Sequence, residues 1–348
     1  MAAPSRTDFS DLGELGVINQ PAGHHAPSDV MYPGGPATDG GLLAPGDPMP
    51  ENAGPGGRRP DWLKVRVGAG DTYASVSRLM RAEALNTVCE EARCPNQGEC
   101  WALGTATFMV LGSVCTRNCG FCAIDTGRPP VTDTDEPRRV GEAARLMNLK
   151  HAVVTMVARD DLPDGGAGIV AETIRHIRQA SPGTSVVVLI SDLNGREADI
   201  RTVVEAQPEI LNHNVETVPR LQRPVRRRAR WDRSVSVLTQ GRAVAREIGY
   251  EGMVTKTGLM VGLGETWDEL VEAMRLLRAA EIEVLTIGQY LRPSRQHLPL
   301  MKYYTPAEFM SLRRIGLEMG FRHVQSGPLV RSSYHAAEQV PAPVAAAI

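Results

Sequence analysis

The 348-residue sequence predicts an α/β protein built on a parallel sheet. Two observations carry that expectation. From Thr105 onward, short apolar runs alternate with amphipathic stretches of helical period, six of each. Polar and glycine-rich clusters follow each apolar run, at the strand ends where α/β proteins collect ligands. The candidate strands are 106–111, 151–157, 185–190, 209–213, 253–260 and 284–289. The helix-like segments between and after them are 139–148, 168–179, 196–205, 234–248, 266–280 and 306–319. Sequential strand–helix units imply right-handed crossovers, and the spacing serves an open sheet and a barrel equally well.

A segment of different character precedes this repeat. Residues 1–57 are rich in Gly, Pro, Ala and Asp, with runs such as Pro33-Gly34-Gly35-Pro36 and Gly54-Pro55-Gly56-Gly57. Their apolar residues are too sparse to repay the entropy of ordering, so a disordered leader is expected. Order is expected to begin near Arg59-Pro60-Asp61-Trp62-Leu63, and 73–85 has helical spacing. Residues 58–104 then read as an N-terminal extension, 105–325 as the strand–helix unit and 326–348 as a C-terminal segment with a tail. A hydrophobic fraction of 42% suits one large domain, and a net charge of -2 gives no argument for nucleic acid or membrane. There is no basic start followed by an apolar core, and no stretch long enough to span a bilayer, so the expectation is a cytoplasmic enzyme.

All six cysteines fall between Cys89 and Cys122. Cys89, Cys94 and Cys100 are spaced C-x4-C-x5-C; Cys115, Cys119 and Cys122 are spaced C-x3-C-x2-C. A disulfide framework needs an oxidising compartment, which nothing here indicates. Zinc favours paired C-x2-C or Cys/His sets, and no histidine lies between Cys89 and Cys122. Three thiolates suit three irons of a four-iron cluster, leaving the fourth iron for another ligand. Two such sets point to two 4Fe-4S clusters that do chemistry at an open iron.

The second triad, Cys115-Thr116-Arg117-Asn118-Cys119-Gly120-Phe121-Cys122, resembles the cluster loop of the radical S-adenosylmethionine superfamily, including the aromatic Phe121 before the last cysteine. The first, Cys89-Glu90-Glu91-Ala92-Arg93-Cys94-Pro95-Asn96-Gln97-Gly98-Glu99-Cys100, is similar to the auxiliary-cluster motif of lipoyl synthases. Residues 159–166, 212–218, 257–266, 291–298 and 327–335 carry further motifs of that family. Gly120, Met156, Ala158 and the run Arg226-Arg227-Arg228 depart from its pattern, and none is a ligand position.

The resemblance implies a partial TIM-type (β/α)6 barrel and radical insertion of two sulfurs, at C6 and C8 of an octanoyl chain amide-linked to a carrier lysine. Two S-adenosylmethionines would serve each product. Cys115, Cys119 and Cys122 would bind the radical-generating cluster, whereas Cys89, Cys94 and Cys100 would bind an auxiliary cluster consumed as the sulfur source. A serine of Arg331-Ser332-Ser333-Tyr334 would be its fourth ligand, Ser333 in preference to Ser332. For S-adenosylmethionine, Gly165 and Gly166 would permit close backbone approach, Asn214 and Glu216 would bond the ribose, and Gly262 and Gly264 would admit the adenine. Lys256 reads either as a carboxylate partner or as a solvated residue. Implied partners are an octanoylated lipoyl carrier domain (a 2-oxoacid dehydrogenase E2 subunit or the glycine cleavage H protein), a flavodoxin or ferredoxin, and a cluster carrier for regeneration. The basic run 226–230 reads more readily as a solvated face than as a docking surface. Rival readings are another sulfur-inserting radical enzyme, such as a methylthiotransferase, and a non-catalytic iron–sulfur electron carrier or sensor.

Overall fold

A computed structural model describes residues 59–65, 70–334 and 339. The expected leader at 1–57, the motif's end at His335 and most of the tail lie outside the described residues. The N-terminal extension comprises α1 (Asp71–Ala82), β1 (Asn86–Thr87), α2 (Val88–Glu91) and α3 (Gln97–Ala102). It is seated by aromatic packing: the Tyr73 ring on α1 meets Trp101 on α3 at 5.2 Å, and Trp101 is fully buried.

The repeat follows as β2 (Thr107–Val110), β3 (Val114–Cys115), β4 (Asp125–Thr126), α4 (Glu136–Leu146), β5 (His151–Met156), α5 (Ala167–Ala180), β6 (Ser185–Leu189), α6 (Glu197–Glu205) and β7 (Ile210–Asn212). Next come α7 (Gln222–Val225), α8 (Trp231–Glu247), β8 (Val254–Val261), α9 (Trp267–Ala279), β9 (Val284–Gln289), α10 (Pro306–Glu318) and β10 (His323–Gly327). All six expected strands and helices form. The strand at His323–Gly327 was not anticipated, because its sequence HVQSG offers one buried apolar side chain, Val324.

The main sheet runs β1-β2-β5-β6-β7-β8-β9-β10, and every pair is parallel except β1 with β2. Each strand is added beside its predecessor, which is the winding of a barrel; among the described residues β10 does not pair with β1, so the barrel is partial. Period-two alternation builds its interior in layers. Val153, Val187, Ile210, Val254 and Val284 form an apolar floor separate from the main core. Two residues further along four of these strands, Thr155, Leu189, Asn212 and Thr286 line the space above it. The outer helices are started by their own chemistry. Thr266 with Glu269 and Thr305 with Glu308 form reciprocal capping boxes, the second with Pro306 in the first turn.

Helix α4 lies closely on α5 through Gly141. A Cβ there would stand 2.7 Å from the His176 carbonyl oxygen, which is backbone and cannot swing aside. Alanine in a helix gains about 1 kcal/mol over glycine, whereas overpacking costs about 1–3 kcal/mol. Gly141→Ala is therefore expected to lower the unfolding midpoint in a thermal melt; a raised midpoint would mean the two helices separate freely.

Candidate active site

The strand ends open into a cavity of about 570 Å³. Its lining includes Cys94, Cys115, Phe121, Cys122, Ser332 and Ser333 as well as Cys119. All six cysteines are unpaired thiols, so no disulfide competes for them.

The second triad is presented by a loop tied down on several sides. Its base is the two-residue ladder β3–β4, pairing Val114 with Asp125 and Cys115 with Thr126. The amide of Gly120 donates to Val225 O at 3.0 Å, and the Gly120 carbonyl accepts from the Leu298 amide at 2.8 Å. A Cβ at Gly120 would lie 2.8 Å from Leu298 Cγ, a physical reason for glycine at this departure from the family pattern. His297 Nε2 lies 3.0 Å from the Cys122 carbonyl.

Arg117, between the first two cysteines of this loop, anchors it electrostatically. Its guanidinium reaches Asp160 and Asp192 at 2.7 Å each, and its amide donates to Cys115 Sγ at 3.4 Å. Asp192 is fully buried and also takes Arg233 at 2.8 Å. The hydrogen bonds from Arg117 hold the Asp160 carboxyl down at about 2. Burial opposes ionisation of Asp192, and the same guanidinium overcomes it, so its carboxyl too is lowered. The aspartates sit just past β5 and β6, so the loop is fastened to the mouths of two neighbouring strands.

The first triad is built by short helices. Thr87 caps α2 by accepting from the Glu90 amide, and the Cys94 amide donates to Cys89 O at 3.0 Å. From here two bonds cross to the C-terminal segment. Asn96 Nδ2 donates to Leu329 O at 2.7 Å, and Tyr334 Oη lies 3.3 Å from Glu99 Oε1. That segment passes close over β9, where a Cβ on Gly288 would overlap the Val330 carbonyl oxygen. Lys256 holds it from below: its buried ammonium donates to Ser332 O and to Gln339 Oε1. Burial pushes the Lys256 pKa down to about 7. Lys256 is thus not a solvated residue; among the described residues it tethers the serine segment.

The residues expected around S-adenosylmethionine divide into two groups. Phe121, Asn214 and Glu216 line the cavity. Asn214 Nδ2 donates to Glu216 Oε1 at 3.1 Å and to Ser332 Oγ at 2.6 Å, while its buried Oδ1 meets no hydrogen-bond partner among the described residues. Glu216 has a left-handed backbone (φ 65°), held by its bonds to Gly258 and Met260 on β8. Gly165, Gly166, Gly262 and Gly264 are not in the cavity lining. Gly166 starts α5 with φ 93°, and Asp164 accepts from its amide. Gly262 and Gly264 (φ 101° each) form a turn in which Glu265 accepts from the Gly262 and Leu263 amides. These four glycines serve turns. Cys89 and Cys100 also lie behind the lining, Cys89 buried and Cys100 partly so.

The donor set fits iron–sulfur clusters. Among the described residues no three His, Cys, Asp or Glu side chains converge on one point as ligands of a single ion would. A four-iron cluster asks for the opposite, one thiolate to each of three irons. Burial raises the Cys119 thiol to about 11 and the Cys100 and Cys122 thiols to about 12, so these sulfurs would need a metal's positive charge to be held as thiolates at neutral pH. The orphaned Asn214 Oδ1 is an acceptor without a donor, suited to a hydroxyl of a bound nucleoside.

Residues 109–277 match the Radical SAM superfamily. With the three-cysteine loop at the mouth of a partial barrel, this defines a radical S-adenosylmethionine enzyme, one that uses a 4Fe-4S cluster and S-adenosylmethionine. Residues 49–94 match the N-terminal domain of lipoyl synthase of the same family. The lipoyl synthase of Rubrobacter xylanophilus is 56% identical over 281 residues, covering 81% of this chain and 86% of the relative. That of Bacillus cytotoxicus is 52% identical over 284 residues, covering 81% and 94%. The chain belongs to the lipoyl synthase family and is a sulfurtransferase, which removes the carrier, sensor and methylthiotransferase readings. The solved structure of methylornithine synthase overlays 76% of this chain and 81% of its own with a TM-score of 0.46 at 12% identity, which bears on neither substrate nor mechanism. No helix among the described residues is long and apolar enough to cross a membrane.

Two expectations follow from the anchors. The Asp160 carboxyl is lowered on folding, so its contribution to stability is complete above the ordinary carboxyl range near pH 4 and lost as pH falls towards about 2. Asp160→Asn should flatten that acid limb in melts recorded against pH, with the largest loss of stability at neutral pH. Gly288→Ala should displace the Val330 backbone and weaken iron loading of the first triad, while the second loads normally; iron and sulfide assays on singly loaded variants read this out.

Proposed function

We propose that this chain inserts sulfur at C6 and then C8 of an octanoyl group held on a carrier lysine, using two triad-bound clusters of separate roles. The supporting observation is that the serine segment is bonded to the first triad's loop, through Asn96 to Leu329 and Tyr334 to Glu99, and lines the cavity that the second triad shares. Such convergence suits a site where a carbon radical meets a sulfur donor.

In this reading Cys115, Cys119 and Cys122 hold the cluster that binds S-adenosylmethionine, and Cys89, Cys94 and Cys100 hold the sacrificial one. When bound, these groups supply one-electron cleavage of the sulfonium, hydrogen abstraction by the 5'-deoxyadenosyl radical, and sulfide for the new carbon–sulfur bonds. The chain's own residues aim and shield. Asn214 and Glu216 receive the ribose hydroxyls, with the free Asn214 Oδ1 as acceptor. Phe121, on the loop itself, lines the cavity. Thr155, Leu189 and the valine floor keep water from the radical's path. Ser332 is occupied twice, its hydroxyl by Asn214 and its carbonyl by Lys256. This favours Ser333 over Ser332 as the oxygen ligand, a hard donor that is a poorer match than thiolate for iron–sulfur sites and so suited to leaving as sulfur is drawn off. The carrier is an E2 lipoyl domain or the glycine cleavage H protein; a flavodoxin or ferredoxin supplies electrons and a cluster carrier restores the spent site.

The test is anaerobic turnover with dithionite, S-adenosylmethionine and an octanoyl-lysine peptide, read by mass spectrometry. Gain of two sulfurs with 5'-deoxyadenosine is expected. Cys115→Ala should abolish 5'-deoxyadenosine. Cys89→Ala should retain some cleavage and form no lipoyl product; lipoyl product from that variant would remove the first triad from sulfur donation.

A further inference from the structure

The cavity mouth has a charge pattern that the chemistry inside does not use. Eight arginines line the cavity against two carboxylates, Asp192, which is buried, and Glu216, which is half-buried. Arg226 is also buried, donating to Val215 O and Ser234 Oγ, so the run expected to be one solvated face is split. Arg230 turns to Asp232. Arg227 and Arg228 stay exposed on the lining, joined by exposed Arg59 and Arg93. Of these four only Arg228 meets a carboxylate within 4.0 Å among the described residues: Asp160 at 3.6 Å, already committed to Arg117. Among the described residues the rim therefore carries exposed positive charge with little carboxylate beside it, at the cavity that a lysine-borne chain would have to enter.

We infer that this arginine rim docks an acidic protein face, the carrier surface around the octanoyl-lysine, with Arg227 and Arg228 as its principal contacts. The inference rests on the proposed function. A lysine arm reaching the cavity floor must bring the surface at its root against the rim. Carboxylates there gain from every uncompensated guanidinium, whereas a basic face is repelled, and the gain falls with salt. A net charge of -2 and an aromatic content of 5% argue against a nucleic acid as the occupant.

The experiment compares the full chain, with clusters reconstituted, with Arg227→Glu and with Arg227→Glu/Arg228→Gln. The probes are an acidic octanoylated E2 lipoyl domain, followed by fluorescence anisotropy at low and high salt, and a short uncharged octanoyl-lysyl peptide, followed by sulfur insertion. Expected are a Kd for the domain raised about tenfold or more at low salt, a flatter salt dependence, and peptide conversion within about twofold of wild type. Unchanged domain affinity would overturn the inference. So would parallel loss of peptide conversion, which would place these arginines in the cavity's own chemistry. Displacement of the domain by a single-stranded oligonucleotide of equal charge and at equal concentration would overturn the protein-specific assignment. Weakened domain binding in the variants, alongside a wild type that inserts no sulfur, would uphold the rim and overturn the sulfur-insertion reading instead.

Discussion

The Arg117 guanidinium, caught between Asp160 and Asp192, is the interaction on which the arrangement of the cavity depends. A buried cation costs several kcal/mol to desolvate, and only close, well-aligned partners offset it. Here both carboxylates stand at 2.7 Å and belong to adjacent strand mouths. The short backbone between Cys115 and Cys119 therefore cannot drift without breaking two ion pairs at once. Positioning of the cysteines is in this sense a property of the sheet, transmitted through one side chain. The ledge that Gly120 shares with Leu298 does for steric contact what Arg117 does for charge.

The serine segment solves a different problem. It has little regular structure of its own: β10 ends at Gly327 and turns follow as far as Tyr334. Its position is set by a near-contact over Gly288, by Asn96 and by the Lys256 ammonium beneath it. Lys256 shows how a charge on an inward strand position is made tolerable: it is fully buried above the apolar floor and finds carbonyl oxygens as partners. A cation in this place is a structural peg, and its lowered pKa records the cost of burial.

The strand–helix alternation was legible because β5 and β6 are runs of β-branched residues and because Thr-x-x-Glu boxes mark two helix starts. His323–Gly327 escaped notice since pairing along β9, and not its own apolar content, makes it a strand. The cysteines could be read from spacing alone. Arg117 and Asp160 lie inside recognisable motifs, yet their pairing joins residues 43 apart and has no sequence period. The four glycines expected at the cofactor stand behind the cavity lining for a related reason. Glycine at a strand end signals a positive φ or a close approach, and here turns and caps demanded both. Lys256 likewise gave no sign of its partners, which lie 76 and 83 positions away.

That separation has a consequence for how the protein comes into being. Asn96 and Leu329, which join the first cysteine triad to the serine segment, are 233 positions apart. At about 5–20 residues per second, synthesis leaves the triad without its counterpart for about 10 to 50 s. For that interval the Cys89 thiol, deeply covered in the finished fold, has less to shelter it from oxidants or stray metal. The shielding is delivered last, so a reducing environment at the site of synthesis protects the nascent chain more than it protects the mature enzyme.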